Sequence, residues 1–141
     1  MPALGAEPRP IGTSWNLVLD ASAVRRLADG SSRSAVLLAR LRNAGLWPAR
    51  VPTVVVAEAL TGDDAIDHNV QCLLRCCLLV EDLSEDLARR AAWLRTAVNR
   101  GTAVDALVVA LAEPGGTVLV GNRPTIEAMA LFADKVFVER I

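Results

Sequence analysis

The sequence lacks any apolar run long enough to cross a bilayer, which takes roughly 18 to 20 residues. Its longest such run, from Ala106 to Ala112, lies between Asp105 and Glu113. Residues 1–15 contain neither a basic start nor the apolar stretch of a signal peptide. We therefore expect no membrane span, a loose N-terminal arm over residues 1–15, and a cytoplasmic protein.

Cysteines and aromatic residues are few, and there is no excess of basic residues. Cys72, Cys76 and Cys77 form an odd and clustered set, unlike the dispersed even set of a secreted disulfide framework. Aromatic residues make up only 4% of the chain, and they do not cluster near the acids singled out below, which disfavours a surface for stacking bases. The net charge is −1, so the chain lacks the basic balance of a nucleic-acid coat protein. Any contact with nucleic acid must be local.

The chain does have enough apolar residues for one ordinary core, since 52% of its 141 residues are hydrophobic. Short strand-like runs alternate with segments of helical spacing. This alternation predicts a single α/β domain over residues 16–141, with a mostly parallel central sheet and helices on both faces.

Several local features predict where the elements begin and how they are buried. Ser34 is the predicted N-cap of one helix, and Pro52 followed by Thr53 favours a short helix over a strand in the run that follows. The stretch from Cys77 to Val80 is a predicted buried strand, and Trp93 is expected in the core.

Polar residues stand at the positions where a parallel sheet forms its binding sites, beyond the carboxyl ends of the strands. Asp20 ends the first predicted strand, and Asn122 follows the predicted strand TVLVG. Asp105 begins the helix that leads into that strand, and Glu58 interrupts an otherwise apolar helix. The sequence therefore predicts that three acids converge on one edge of the sheet.

Each of these acids also has a purely structural explanation. Asp20 can cap a helix, Asp105 has capping-box spacing from Thr102, and Glu58 can lie on a solvated face. A converged set is different, because neighbouring carboxylates repel one another unless a cation holds them. Mg²⁺ or Mn²⁺ prefers such oxygen ligands and can orient water for attack on a phosphodiester.

Three segments, in this order and spacing, resemble the PIN-domain ribonucleases, and among them the VapC toxins of bacterial toxin–antitoxin pairs. They are LVLDASAVRRL at residues 17–27, VPTVVVAEALTG at 51–62 and VDALVVALAEPGGTVLVGN at 104–122. The resemblance in element order extends from about residue 16 to the end of the chain. It implies a single PIN-like domain that cuts structured RNA, such as tRNA or rRNA, and so inhibits translation.

The resemblance also assigns roles to individual residues. It makes Asp20, Glu58 and Asp105 the catalytic and metal-binding acids, with Mg²⁺ as the cofactor and Mn²⁺ as a substitute. It makes Ser22 a supporting hydroxyl beside the first acid. It further implies a homodimer and a cognate VapB-type antitoxin, whose C-terminal segment wraps the toxin and blocks the acidic site.

This chain departs from the family pattern after the strand TVLVG. Asn122 stands where a fourth acid is usual, and Thr125 where a further Asp is common. We expect Asn122 to serve as a neutral metal ligand and Thr125 as a supporting residue. Glu127, about one turn further on, is an alternative source of the missing charge.

Two arginines and two rival functions complete the predictions. Arg25 and Arg26 follow the first acid closely and are candidate RNA contacts.

The missing acids also suit a PIN-like module that binds RNA or protein without cutting. A phosphatase or phosphoacceptor domain with Asp20 as nucleophile is disfavoured, because Ser22 replaces the second Asp of such phosphatases and Lys135 is the only lysine.

Overall fold

The computed structural model describes residues 16–141, so the N-terminal arm predicted over residues 1–15 lies outside the described part. Five parallel strands form one sheet in the order β3-β2-β1-β4-β5, together with seven helices. The strands are β1 (Leu17–Leu19), β2 (Arg50–Pro52), β3 (Leu78–Val80), β4 (Thr117–Val120) and β5 (Phe137–Arg140). The helices are α1 (Ala21–Leu27), α2 (Ser32–Asn43), α3 (Thr53–Ala59), α4 (Asp64–Leu74), α5 (Glu85–Val98), α6 (Ala103–Ala112) and α7 (Pro124–Ala130).

Strand order places a crevice between β1 and β4. The chain runs from β1 to β2 and β3 on one side, then returns to the other side of β1 for β4 and β5. The connections that leave β1 and β4 therefore diverge, which is the arrangement that opens a binding crevice at the carboxyl ends of parallel strands. The two strands end within one residue of each other, because Leu19 pairs with Leu119 and β4 continues only to Val120. The next backbone N–H of the first strand, that of Asp20, donates to the Leu119 carbonyl at 3.3 Å.

The core lies on both sides of this central strand pair. Helix α1 packs against α2, α3 and α4, whereas α5, α6 and α7 pack against one another. Val18, Leu19 and Leu119 are almost fully buried as a result. Helix α6 is apolar on nearly every side and is buried along almost its whole length.

The α/β fold and the parallel sheet are confirmed, and so is the short helix α3, which begins at Thr53 directly after Pro52. Within residues 16–141, no helix combines the length and the apolar character that crossing a bilayer requires.

Three local predictions are wrong. The N-cap of α2 is Ser31, whose hydroxyl accepts from the Ser34 N–H at 3.1 Å, while Ser34 lies in the first turn. Strand β3 is not buried, because it forms an edge of the sheet and leaves Leu78 55% exposed. Trp93 is 52% exposed rather than in the core, and the Arg90 guanidinium stacks on its ring at 4.7 Å.

Candidate active site

Asp20 follows β1 directly and is nearly fully buried. It is the N-cap of α1, because its Oδ1 accepts from the Ala23 N–H at 2.8 Å. The Ser22 hydroxyl lies 2.7 and 2.8 Å from the two carboxylate oxygens and donates to them. Burial raises the pKa of Asp20, although these hydrogen bonds and the charge of Arg123 oppose the rise. Asp20 is thus fixed at the crevice by α1 itself.

Ser22 also joins the start of α1 to the end of β4. The Gly121 N–H donates to the Ser22 hydroxyl oxygen at 2.8 Å. A Cβ at Gly121 would lie 2.9 Å from the Ser22 Cβ, so this approach requires glycine. Ser22 therefore positions Asp20 relative to the loop after β4.

Asp105 occupies the other side of the crevice, in the first turn of α6, and is also nearly fully buried. It forms a capping box with Thr102: its backbone N–H donates to the Thr102 hydroxyl at 3.0 Å, and its Oδ2 accepts from the Thr102 N–H at 3.4 Å. The Thr125 hydroxyl donates to the same Oδ2 at 3.0 Å. Thr125 thus helps to orient the Asp105 carboxylate.

Arg123 provides the positive charge of the site. Its guanidinium forms a salt bridge with Asp105 Oδ1, with 33% of the arginine side chain and 4% of the aspartate side chain exposed. Burial alone lowers the pKa of Arg123, but the hydrogen bond and charge of Asp105, then the charges of Asp20 and Glu58, raise it overall. Arg123 is therefore paired with Asp105 and lies near enough to Asp20 and Glu58 for their charges to raise its pKa.

Glu58 differs from the two aspartates because it is exposed on α3. Its backbone carbonyl accepts from the Arg25 guanidinium at 3.0 Å, which joins α1 to α3. Arg25 is thus partly committed to a contact within the protein, whereas Arg26 is exposed.

The loop after β4 carries the remaining predicted residues. Asn122 is exposed and lies between Gly121, which contacts Ser22, and Arg123. Both carboxylate oxygens of Glu127 accept from Arg140, at 2.7 and 2.8 Å, so its charge is paired with that arginine.

The residue types suit a hard divalent cation, but their arrangement favours the guanidinium. Carboxylate oxygens are the preferred ligands of Mg²⁺, and the presence of Arg123 shows that a cation is stabilised here. However, within residues 16–141 no three His, Cys, Asp or Glu side chains are placed to hold one metal ion. Both oxygens of Asp105 are already engaged, by Arg123 and Thr125. The carboxylates suit a metal by residue type, whereas in this arrangement Asp105 is paired with Arg123.

Sequence reasoning missed Arg123. The available signal was its position, directly after Asn122 and past the end of a strand at the crevice edge. The structure also weakens the phosphoacceptor alternative, because Lys135 precedes β5 and so lies at the opposite edge of the parallel sheet from Asp20, and it is exposed.

Comparison with family models finds no match. A search of curated proteins likewise finds no relative of significant similarity.

Proposed function

We propose that this protein is a Mg²⁺-dependent endoribonuclease, the toxin of a VapBC-type toxin–antitoxin pair. The observation that supports it best is the convergence of two buried carboxylates, Asp20 and Asp105, at the crevice between β1 and β4. Acids are almost never buried unless they are paired or ligate a cation. Their position at the carboxyl edge of the sheet is where an α/β fold binds its ligands.

Asp20, Glu58 and Asp105, with the Asn122 amide, are the residues that would hold Mg²⁺ or Mn²⁺. A bound divalent cation supplies charge stabilisation and an oriented water for attack on a phosphodiester. The protein's own contribution is to position these acids. Ser22 holds the Asp20 carboxylate against the loop after β4.

Thr125 orients the second acid in the same way, by donating to Oδ2 of Asp105.

The substrate under this proposal is structured RNA, tRNA or rRNA, and its cleavage inhibits translation in the cytoplasm. The partners are a cognate VapB-type antitoxin and a second copy of the chain. Of the two candidate phosphate contacts, Arg26 is exposed in the last turn of α1, whereas the Arg25 guanidinium donates to the Glu58 carbonyl of α3.

The test is RNA cleavage by Asp20→Asn and Asp105→Asn. An amide keeps the size of the side chain but removes the charge that holds a cation, so each variant should lose cleavage by about two orders of magnitude or more while remaining folded. The matched control is Asp82→Asn, at an exposed acid of a loop, which should retain full activity. Cleavage by both site variants at the wild-type rate would refute the nuclease.

A second function is favoured by one observation, the salt bridge between Arg123 and Asp105. With acids absent at Asn122 and Thr125 and a guanidinium among those that remain, the domain would bind RNA or protein without cutting. In that case the wild type and Asp20→Asn should bind RNA equally, and neither should cleave at any concentration of Mg²⁺ or Mn²⁺.

A further inference from the structure

Both carboxylate oxygens of Asp105 already accept hydrogen bonds from the protein. Oδ1 accepts from the Arg123 guanidinium, and Oδ2 accepts from Thr125 and from the Thr102 backbone. The side chain is 4% exposed, so water contributes little to stabilising its charge. The guanidinium is therefore the principal counter-charge of this carboxylate.

A divalent cation and Arg123 would need the same carboxylate. Two cations at adjacent positions repel one another, and this repulsion is screened weakly where the acid is buried. A carboxylate that pairs with the guanidinium is therefore not available to the metal. Arg123 is attached by a flexible side chain that is one-third exposed, so solvent lies within its reach.

We propose that Arg123 is a resident counter-ion of the acidic site, and that a divalent metal binds Asp105 only in exchange for the Arg123 guanidinium. Arg123 thus sets the metal affinity of the site and keeps the buried acids neutralised when metal is absent. The metal's catalytic role rests on the proposed function, whereas the exchange itself concerns binding alone.

The experiment is a calorimetric titration of the full chain with Mn²⁺ and Mg²⁺. Arg123→Gln should bind metal about tenfold more tightly than the wild type, because the metal no longer competes with the guanidinium for Asp105. Arg90→Gln is the matched control, because it breaks a bidentate salt bridge with Glu113 at the other end of α6. That bridge lies roughly 12 Å along the helix from Asp105, so metal affinity should stay at the wild-type value. Equal or weaker metal binding by Arg123→Gln would overturn the proposal.

Removal of Arg123 also leaves a buried charge without its partner. In metal-free buffer Arg123→Gln should therefore melt below the wild type, and saturating Mn²⁺ should raise its melting temperature more than that of the wild type. An equal rise in both proteins contradicts the exchange.

If the variant does not fold without metal, the wild type still decides the question. The guanidinium NMR signals of Arg123, assigned by their loss in Arg123→Lys, should show slow hydrogen exchange in metal-free protein. Saturating Mg²⁺ should remove that protection, and retained protection would overturn the proposal.

The two proposals can fail separately. If Arg123→Gln binds metal more tightly and the wild type does not cleave RNA, the counter-ion proposal is supported and the nuclease proposal is refuted. RNA cleavage that depends on Asp20, with metal affinity unchanged by Arg123→Gln, supports the nuclease and refutes the counter-ion.

Discussion

Asp20 and Asp105 cap helices at the same positions where the proposed function requires acids. Each carboxylate accepts from a backbone N–H of a helix start, and the two acids lie near enough for the charge of Asp105 to raise the pKa of Asp20. Capping fixes the side chain in one orientation, because the helix N-terminus holds a negative charge in place. The structural interpretation of these acids is therefore confirmed without weakening the functional one.

At the same scale, we expect Asn122, in the loop after β4, to influence the metal affinity of the site. Asn122→Asp adds a negative charge directly before Arg123, so it should lower the Mg²⁺ concentration required for half-maximal RNA cleavage. Mn²⁺ should help the natural protein more than this variant, because it ranks above Mg²⁺ in affinity for mixed ligand sets.

Glu127→Gln is the control for that variant. Its carboxylate is bound by Arg140, so the substitution should leave both metal dependence and cleavage unchanged. An Asn122→Asp protein with the metal dependence of the wild type would show that residue 122 does not face the cation. Loss of cleavage in Glu127→Gln would show that Glu127 leaves Arg140 to join the site.

At the scale of elements, Glu113 connects three parts of the fold. Its carboxylate follows α6 and accepts from Arg90 of α5 at 2.7 and 2.8 Å, and from the Asp134 N–H before β5 at 2.7 Å. The hydrogen bond from Arg90 is the main cause of its lowered pKa, and it outweighs the effect of burial. This contact holds the helix layer of α5 and α6 against the end of the sheet.

Glu113→Gln should lower the free energy of unfolding at pH 7 by about 1 to 2 kcal/mol, a discounted value because Arg90 is 38% exposed. The pKa of Glu113 is lower in the folded state than its ordinary value of 4.5, so its charge stabilises the fold above that pH. The contribution is lost as pH falls through the folded-state pKa.

Urea unfolding of wild type and Glu113→Gln, followed from neutral pH to below 4.5, measures this contribution. The difference between the two proteins should shrink over the acidic part of that range. A difference that stays constant with pH would assign the effect to packing rather than to the ionised carboxylate.

At the scale of the whole molecule, the proposed toxin activity predicts an effect on cell growth. A ribonuclease that cuts tRNA or rRNA should arrest bacterial growth when it is expressed alone, and the product of the neighbouring antitoxin gene should restore growth. Asp20→Asn, expressed to the same level, should be harmless. Normal growth with an active, folded wild type would indicate a processing nuclease rather than a toxin.

The sequence by itself determined the order of the elements and the edge of the sheet at which Asp20 lies. Both follow from local patterns, because the run before Asp20 predicts a strand and parallel strands bring their carboxyl ends to one edge. The same local patterns failed where burial depends on neighbours, as for Trp93 and strand β3.

Only the tertiary structure decided which cation faces those acids. Arg123 reaches Asp105 across 18 positions of sequence, and it does so because α6 and the loop after β4 begin side by side at the crevice. A salt bridge between such positions depends on the spatial arrangement of two elements, and composition, periodicity and capping signals carry no record of it.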